Sequence, residues 1–113
     1  MSKVREKGLI LSIIKHCDRI ESKMISLDRQ TFDKDEDIRE IICFNIFQIG
    51  ELAKNLERDF LDKYKVIPCK QIKGMRENIS HGYGTIDLDR VWDTASSNIK
   101  ALNEYCKKIL EEY

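Results

Sequence analysis

The sequence is poor in the residues that mark metal sites, disulfide scaffolds and membrane spans. It has two histidines and four cysteines in 113 residues, and no two cysteines form a CxxC pair. Because no histidine stands at zinc-finger spacing from them, we expect the cysteines to be reduced thiols of the core. No apolar run approaches the roughly 18 residues of a membrane span, and the first residues lack the order of a signal peptide. These absences predict a cytoplasmic protein that uses no metal or other cofactor.

The chain also lacks an excess of either charge. Lys and Arg together number 20, as do Asp and Glu. No global field therefore indicates nucleic acid, and such a role must rest on a local patch. Residues 61–76 supply one, with five basic side chains against a single acid. A phosphate backbone could lie there, although a solvated lysine face would have the same composition.

The first half of the chain shows helical periodicity. Apolar residues recur every three or four positions between residues 4 and 27, which predicts a first helix. We expect a second helix from Lys34, because Asp33 and Glu36 have the spacing of a capping box. Its apolar pattern breaks near Asp62.

The second half predicts two more helices. The only proline suits the first turn of a helix from Pro68 to Ser80, and two glycines follow that helix. Asp87 can cap a last helix that runs through Ile109. No segment alternates with period two over the length of a strand. We therefore expect an all-α fold, a four- to five-helix bundle formed by one domain over residues 1–113.

Helix two is apolar over most of its circumference. Between Ile41 and Ile49 only Asn45 and Gln48 are polar. Such a helix must be covered on most sides, either as the central helix of the bundle or as part of a subunit interface.

The densest chemistry lies where the third helix ends. Arg76, His81 and Tyr83 follow one another within eight residues, with Gly82 and Gly84 beside them. Arginine offers a planar, permanently charged fork for phosphate oxygens, and histidine exchanges protons near neutral pH. In RNA the 2′-hydroxyl is an internal nucleophile, so Arg76 and His81 could cleave it without a metal. The pattern favours RNA cleavage.

The pattern RxxxxHxY resembles the signature of the HepT-like toxins of the HEPN superfamily. The Phe32 turn, the Ile49–Glu51 element and the Val91–Trp92 pair are similar to that family's layout. The resemblance implies a homodimeric, helical HEPN-type ribonuclease toxin of a toxin-antitoxin system that works without metal. It also implies a partner, a nucleotidyltransferase antitoxin that transfers AMP to Tyr83.

Two further residues are candidates for a supporting role. Glu51 could orient Arg76 or His81, or could be an ordinary exposed acid. Arg76 could in turn be tied up in a salt bridge with Glu51 or Glu77. Since Glu77 is acidic where many relatives carry another polar residue after the arginine, Asn78 could fill that polar role. His16 lacks comparable company and is expected to be structural.

Two hypotheses remain open at this point. A homodimer is expected because one chain offers one catalytic histidine, whereas cleavage needs both a proton acceptor and a proton donor. The alternative is a catalytically silent HEPN module that serves a nucleotidyltransferase as scaffold or substrate. Both hypotheses use the same motif and the same fold.

Overall fold

The computed structural model describes residues 3–80 and 86–113, and every regular element in them is helical. The prediction of an all-α fold is confirmed for these residues. The chain runs through α1 (Lys3–Met24), α2 (Arg29–Lys34), α3 (Glu36–Ala53), α4 (Arg58–Lys63), α5 (Cys69–Ser80), α6 (Leu88–Asp93), a π-helical turn (Thr94–Asn98) and α7 (Ile99–Leu110).

The start of the second predicted helix was misplaced by two residues. The N-cap of α3 is Asp35 rather than Asp33, and its carboxylate accepts a hydrogen bond of 3.1 Å from the Ile38 amide. Asp35 has an extended backbone (φ −97°, ψ 94°), which separates α3 from the short helix α2. The capping-box spacing was misleading because helix α2 already contains Asp33.

The second predicted helix ends earlier than expected. Helix α3 stops at Ala53, and the predicted break near Asp62 falls at the end of a separate short helix, α4, whose Phe60 turns inward and is only 3% exposed. One buried aromatic side chain is enough to hold a two-turn helix against the core, and the polar residues around it hide this in the sequence.

The last predicted helix begins where expected but is not regular throughout. The Asp87 carboxylate caps α6 by accepting a hydrogen bond of 3.2 Å from the Arg90 amide. The π-helical turn then interrupts the α-helical ladder. Within it the Ser96 and Ser97 hydroxyls donate to the carbonyl oxygens of Trp92 and Asp93, at 2.7 and 2.9 Å. Such bonds from side chain to backbone compete with the regular ladder.

The core lies between α1, α3 and α7, with α5 packed on the other side of α3. Its most completely buried side chains come from α1, α3 and α7 and from the short helices α2 and α6: Ile10, Ile13, Cys17, Ile20, Phe32, Ile42, Ile49, Val91 and Cys106. Helix α3 is therefore the central helix, one of the two roles expected for it. It still leaves Ile41 and Phe44 exposed, by 40% and 56%.

Two expectations about single residues can be judged here. His16 is structural as expected: its Nδ1 atom lies 2.7 Å from the Asn45 side-chain oxygen and links α1 to α3. All four cysteines are free thiols. The placement of every cysteine in the core is wrong for Cys69, which is exposed on the first turn of α5.

None of the helices described is both long enough and apolar enough to cross a lipid bilayer.

Candidate functional site

Helix α5 approaches α3 most closely where Arg76 crosses Gly50. A β-carbon added at Gly50 would lie 2.7 Å from the Arg76 Cβ and 3.1 Å from its Cγ and Cδ. The aliphatic stem of Arg76 therefore rests directly on the bare backbone of α3. Glycine at this position is a requirement of the close approach.

The guanidinium group of Arg76 is held from two sides. Its Nε atom donates to Glu51 in a short ion pair, and its carbon lies 5.5 Å from the centre of the Phe47 ring. Glu51 also pairs with the Lys54 ammonium at 3.0 Å. The Arg76 and Glu51 side chains are each 29% exposed, so the guanidinium remains open to solvent.

The electrostatics of this pair favour the charged forms. The hydrogen bond from Arg76, followed by that from Lys54, lowers the pKa of Glu51 below its ordinary value of 4.5. A carboxylate that stays ionised keeps its partner oriented down to acidic pH. Glu51 is therefore not an isolated exposed acid, and its contact with Arg76 fits both an orienting role and the salt bridge that was the alternative for Arg76. Among the described contacts of Arg76, the salt bridge is with Glu51 and not with Glu77.

The Asn78 side chain binds backbone rather than pointing to solvent. Its oxygen accepts a hydrogen bond of 3.1 Å from the Asp87 amide, and its Nδ2 atom lies 3.4 Å from the Asp87 carbonyl oxygen. Both polar atoms are thus engaged with one residue at the start of α6. Asn78 ties together the two ends of the segment that leaves α5 and enters α6. The polar role at the substrate that the sequence suggested for Asn78 stays a prediction.

The other two residues of the motif, His81 and Tyr83, lie outside the described residues. The described part of the site is therefore its arginine half, which comprises Arg76 with Gly50, Glu51 and Phe47. Within residues 3–80 and 86–113, no three His, Cys, Asp or Glu side chains are grouped closely enough to hold a metal ion.

Sequence reasoning missed two neighbours of the motif. Phe47 was assigned only to the core or an interface, although it is half-buried beneath the Arg76 guanidinium. Arg90 was not considered, although a β-carbon at Gly74 would lie 2.5 Å from its Nη2 atom. The only sequence signal for either contact was a glycine inside a helix, at positions 50 and 74. Such a glycine indicates close approach without naming the partner.

The sequence of this chain is similar to a known protein family. The profile of the family described as Ribonuclease HepT-like matches residues 13–109. A protein of Caldanaerobacter subterraneus subsp. tengcongensis named as a putative RNase is 28% identical over 100 residues, which cover 88% of this chain and 89% of the relative. Another protein of that name from Methanocaldococcus jannaschii is 29% identical over 106 residues, covering 94% and 91% of the two chains.

A third relative carries the family name itself. A protein of Thermococcus cleftensis named probable ribonuclease HepT is 31% identical over 61 residues, which cover 54% of this chain and 56% of the relative. No solved structure matches this chain. The match to the family profile covers most of the sequence and includes the whole motif from Arg76 to Tyr83. The chain belongs to the HepT-like ribonuclease family.

Proposed function

We propose that this protein is a metal-independent endoribonuclease that cleaves RNA with Arg76 and His81. The observation that carries the proposal is the mounting of Arg76, the first residue of the motif, on Gly50 and Glu51 with its guanidinium still partly exposed. Membership of the HepT-like family and the names of the relatives support ribonuclease activity.

The mounting leaves a usable part of the guanidinium free. Glu51 accepts the hydrogen bond from the Nε atom of Arg76. No described residue accepts a hydrogen bond from the two terminal Nη groups of Arg76. Those groups can bind two phosphate oxygens side by side. Because Glu51 fixes the plane of the fork before substrate arrives, less conformational entropy is lost when phosphate binds.

The proposed reaction is an internal transesterification. The RNA 2′-oxygen forms a bond to phosphorus while the bond from phosphorus to the 5′-oxygen breaks, which leaves a cyclic phosphate and a free 5′-hydroxyl. One His81 accepts the proton of the 2′-hydroxyl, and a second group donates a proton to the departing 5′-oxygen. Arg76 stabilises the extra negative charge on the phosphoryl oxygens in the transition state.

A homodimer would supply that second group from the partner's His81. The exposed side chains Ile41 and Phe44 lie on the side of α3 that also carries Phe47 and Glu51, next to Arg76. An apolar patch bordering an incomplete site is the expected place for a two-fold interface. Phe44→Glu should therefore yield a folded monomer that no longer cleaves RNA. Sedimentation of an active monomer would contradict the shared site.

The experiment that tests the proposal is RNA cleavage by the purified protein. We expect Arg76→Ala and His81→Ala each to abolish cleavage while the far-ultraviolet circular dichroism stays helical, and excess EDTA to have no effect. Arg19→Ala, which removes an exposed arginine from α1, is the matched control and should cleave normally. Cleavage at the wild-type rate by either folded site variant would refute the assignment.

The proposed control of the enzyme acts on Tyr83. In a cytoplasmic toxin-antitoxin pair, a nucleotidyltransferase antitoxin would transfer AMP from ATP to the Tyr83 oxygen and release pyrophosphate. The bound nucleotide would bring negative charge and an adenine ring beside His81, and both would exclude RNA. Mass spectrometry after co-expression with the neighbouring nucleotidyltransferase should show one added AMP on Tyr83. Inhibition that persists in Tyr83→Phe would rule out this mechanism.

One observation favours the alternative, a silent module that only binds the nucleotidyltransferase. The Glu51 carboxylate already neutralises Arg76, which lowers the positive charge available to phosphate. Failure of the wild-type protein to cleave any RNA, together with stable binding to the nucleotidyltransferase, would establish this second function instead.

A further inference from the structure

A second arginine lies against α5 one helical turn before Asn78. Arg90 belongs to α6, but its Nη2 atom reaches α5 and occupies the space that a side chain at position 74 would need. The added β-carbon would come within 2.5 Å of that nitrogen and 3.6 Å of the guanidinium carbon. Gly74 is therefore a seat for the Arg90 guanidinium, formed by bare helix backbone.

The seat is part of a two-step contact between α5 and α6. Gly74 and Asn78 are one turn apart on α5, and their partners Arg90 and Asp87 are about one turn apart in the chain that forms α6. The Asn78 hydrogen bonds to the Asp87 backbone fix the start of α6 beside α5. That attachment brings the tip of the Arg90 side chain over Gly74 of α5.

The charge of Arg90 is not neutralised by its acidic neighbours. Asp89 pairs with Arg29 at 2.7 Å, and the Asp87 carboxylate accepts from the Arg90 backbone amide instead of its side chain. Among residues 3–80 and 86–113, no carboxylate forms an ion pair with the Arg90 guanidinium, although the exposed Glu77 shares this side of α5.

Two lysines extend this positive charge along α5. Lys70 and Lys73 are both exposed: Lys70 stands one helical turn before Gly74 on the same side of α5, and Lys73 directly precedes Gly74 in the chain. Neither is in a described ion pair. Three cations for which no ion pair is described, Lys70, Lys73 and Arg90, thus lie beside the middle of α5, with the acidic Glu77 after them.

We propose that Lys70, Lys73 and Arg90 form a track for the phosphate backbone of single-stranded RNA, with the tip of the Arg90 side chain lying against Gly74. The inference rests on the proposed ribonuclease function and adds the path by which substrate reaches the site. The N–H groups of the guanidinium that do not face α5 can bind phosphate oxygens beside the two lysines. The track gives affinity without reading sequence.

The test measures binding of a fluorescently labelled single-stranded RNA by anisotropy at several salt concentrations. All variants are made in the full chain with His81→Ala, so that bound RNA is not cut. Removing one phosphate contact lowers the slope of log affinity against log salt by about 0.7 for single strands. We expect Arg90→Ala to reduce the affinity for RNA about fivefold and to lower the slope of log affinity against log salt by about 0.7.

Gly74→Ala distinguishes the effect of the position of the Arg90 guanidinium from the effect of its charge. It keeps every charge and adds helix propensity to α5, yet its methyl group must displace the guanidinium. We expect a similar loss of affinity, although net charge is unchanged. Arg19→Ala is the control for lost charge and Gly8→Ala is the control for glycine replacement, because no heavy atom lies within 4 Å of a β-carbon at Gly8. Both controls should bind as the parent does.

The outcomes separate this inference from the proposed function. Parental affinity in Arg90→Ala, or an equal loss in Arg19→Ala, overturns the track, even if the same surface binds an acidic protein instead. Parental affinity in Gly74→Ala overturns the seat. A wild-type protein that binds RNA through the track but never cleaves it refutes the nuclease and leaves the track standing. Active cleavage with no effect of these variants on binding refutes the track alone.

Discussion

Replacing Gly50 by alanine tests whether the crossing of α3 and α5 positions Arg76. The new β-carbon would lie 2.7 Å from the Arg76 Cβ, whereas ordinary contact begins at 3.4 Å, so the two helices must separate by about 0.7 Å. The contacted atom adjoins the backbone of α5, and a rotamer change cannot move it away. The strain therefore reaches the helix itself.

The size of the effect follows from two opposing terms. Overpacking a buried contact costs about 1–3 kcal/mol, while alanine favours a helix interior over glycine by about 1 kcal/mol. We expect Gly50→Ala to destabilise the fold by about 1 kcal/mol, which lowers Tm by roughly 5 °C for a domain of this size. A displacement approaching 1 Å at Arg76 should reduce RNA cleavage about 10- to 100-fold.

Gly8→Ala provides the matched control. Position 8 is on the exposed side of α1, where an added methyl group meets nothing within 4 Å. Only the propensity term remains, so this variant should be more stable by about 1 kcal/mol and should cleave RNA normally. Thermal melting and initial cleavage rates measure both variants. A Gly50→Ala protein that melts above wild type and cleaves at full rate would refute the close crossing.

Three further predictions follow from described contacts. Asn78→Ala should speed hydrogen exchange at the Asp87 amide about tenfold or more while the core amides stay protected, and unchanged exchange there would contradict the bridge. Glu51→Gln should lose its stability deficit relative to wild type progressively as the pH falls below 4.5, because the lowered pKa of Glu51 makes its contribution full above 4.5 and absent once Glu51 is protonated in the folded protein; a deficit that does not shrink as the pH falls would show that charge pairing with Arg76 is not its cause. In the native protein a thiol reagent should modify the exposed Cys69 first, the half-buried Cys43 more slowly, and the buried Cys17 and Cys106 only after unfolding; equal reactivity of all four thiols would contradict the packing.

The sequence predicted the long helices well because their evidence is repeated many times. Apolar residues at steps of three or four mark α1, α3 and α7 over several turns, and the Asp87 cap marks the start of α6. The short helix α4 escaped prediction because one residue, Phe60, carries its burial. Periodicity cannot be read from a helix of two turns.

The residues of the site also differ in how far they could be predicted from the sequence. The motif could be read from neighbouring residues, whereas its partners depend on how the helices pack. The motif from Arg76 onward is local, and its residue types indicate phosphate chemistry without reference to the fold. The partners that hold Arg76 come from α3, about 25 residues away, and only the packing of the two helices selects Glu51 and Gly50 from its other residues. Arg90 was missed for the same reason, because its contact depends on how α6 is attached to α5.

The π-helical turn between α6 and α7 has a consequence for chain length. A turn closed by a hydrogen bond from residue i to i+5 holds one residue more than an α-helical turn. It therefore accommodates one extra residue without shifting the α-helical turns on either side. The extra residue lies among exposed serines, between the inward-facing Ala95 and Ile99. Deleting Ser96 or Ser97 would let the segment close into ordinary α-helical turns with the inward faces of α6 and α7 still in register. A lost codon at this point should cost much less stability than a lost codon within α7, which would turn every later side chain by about 100° away from α1.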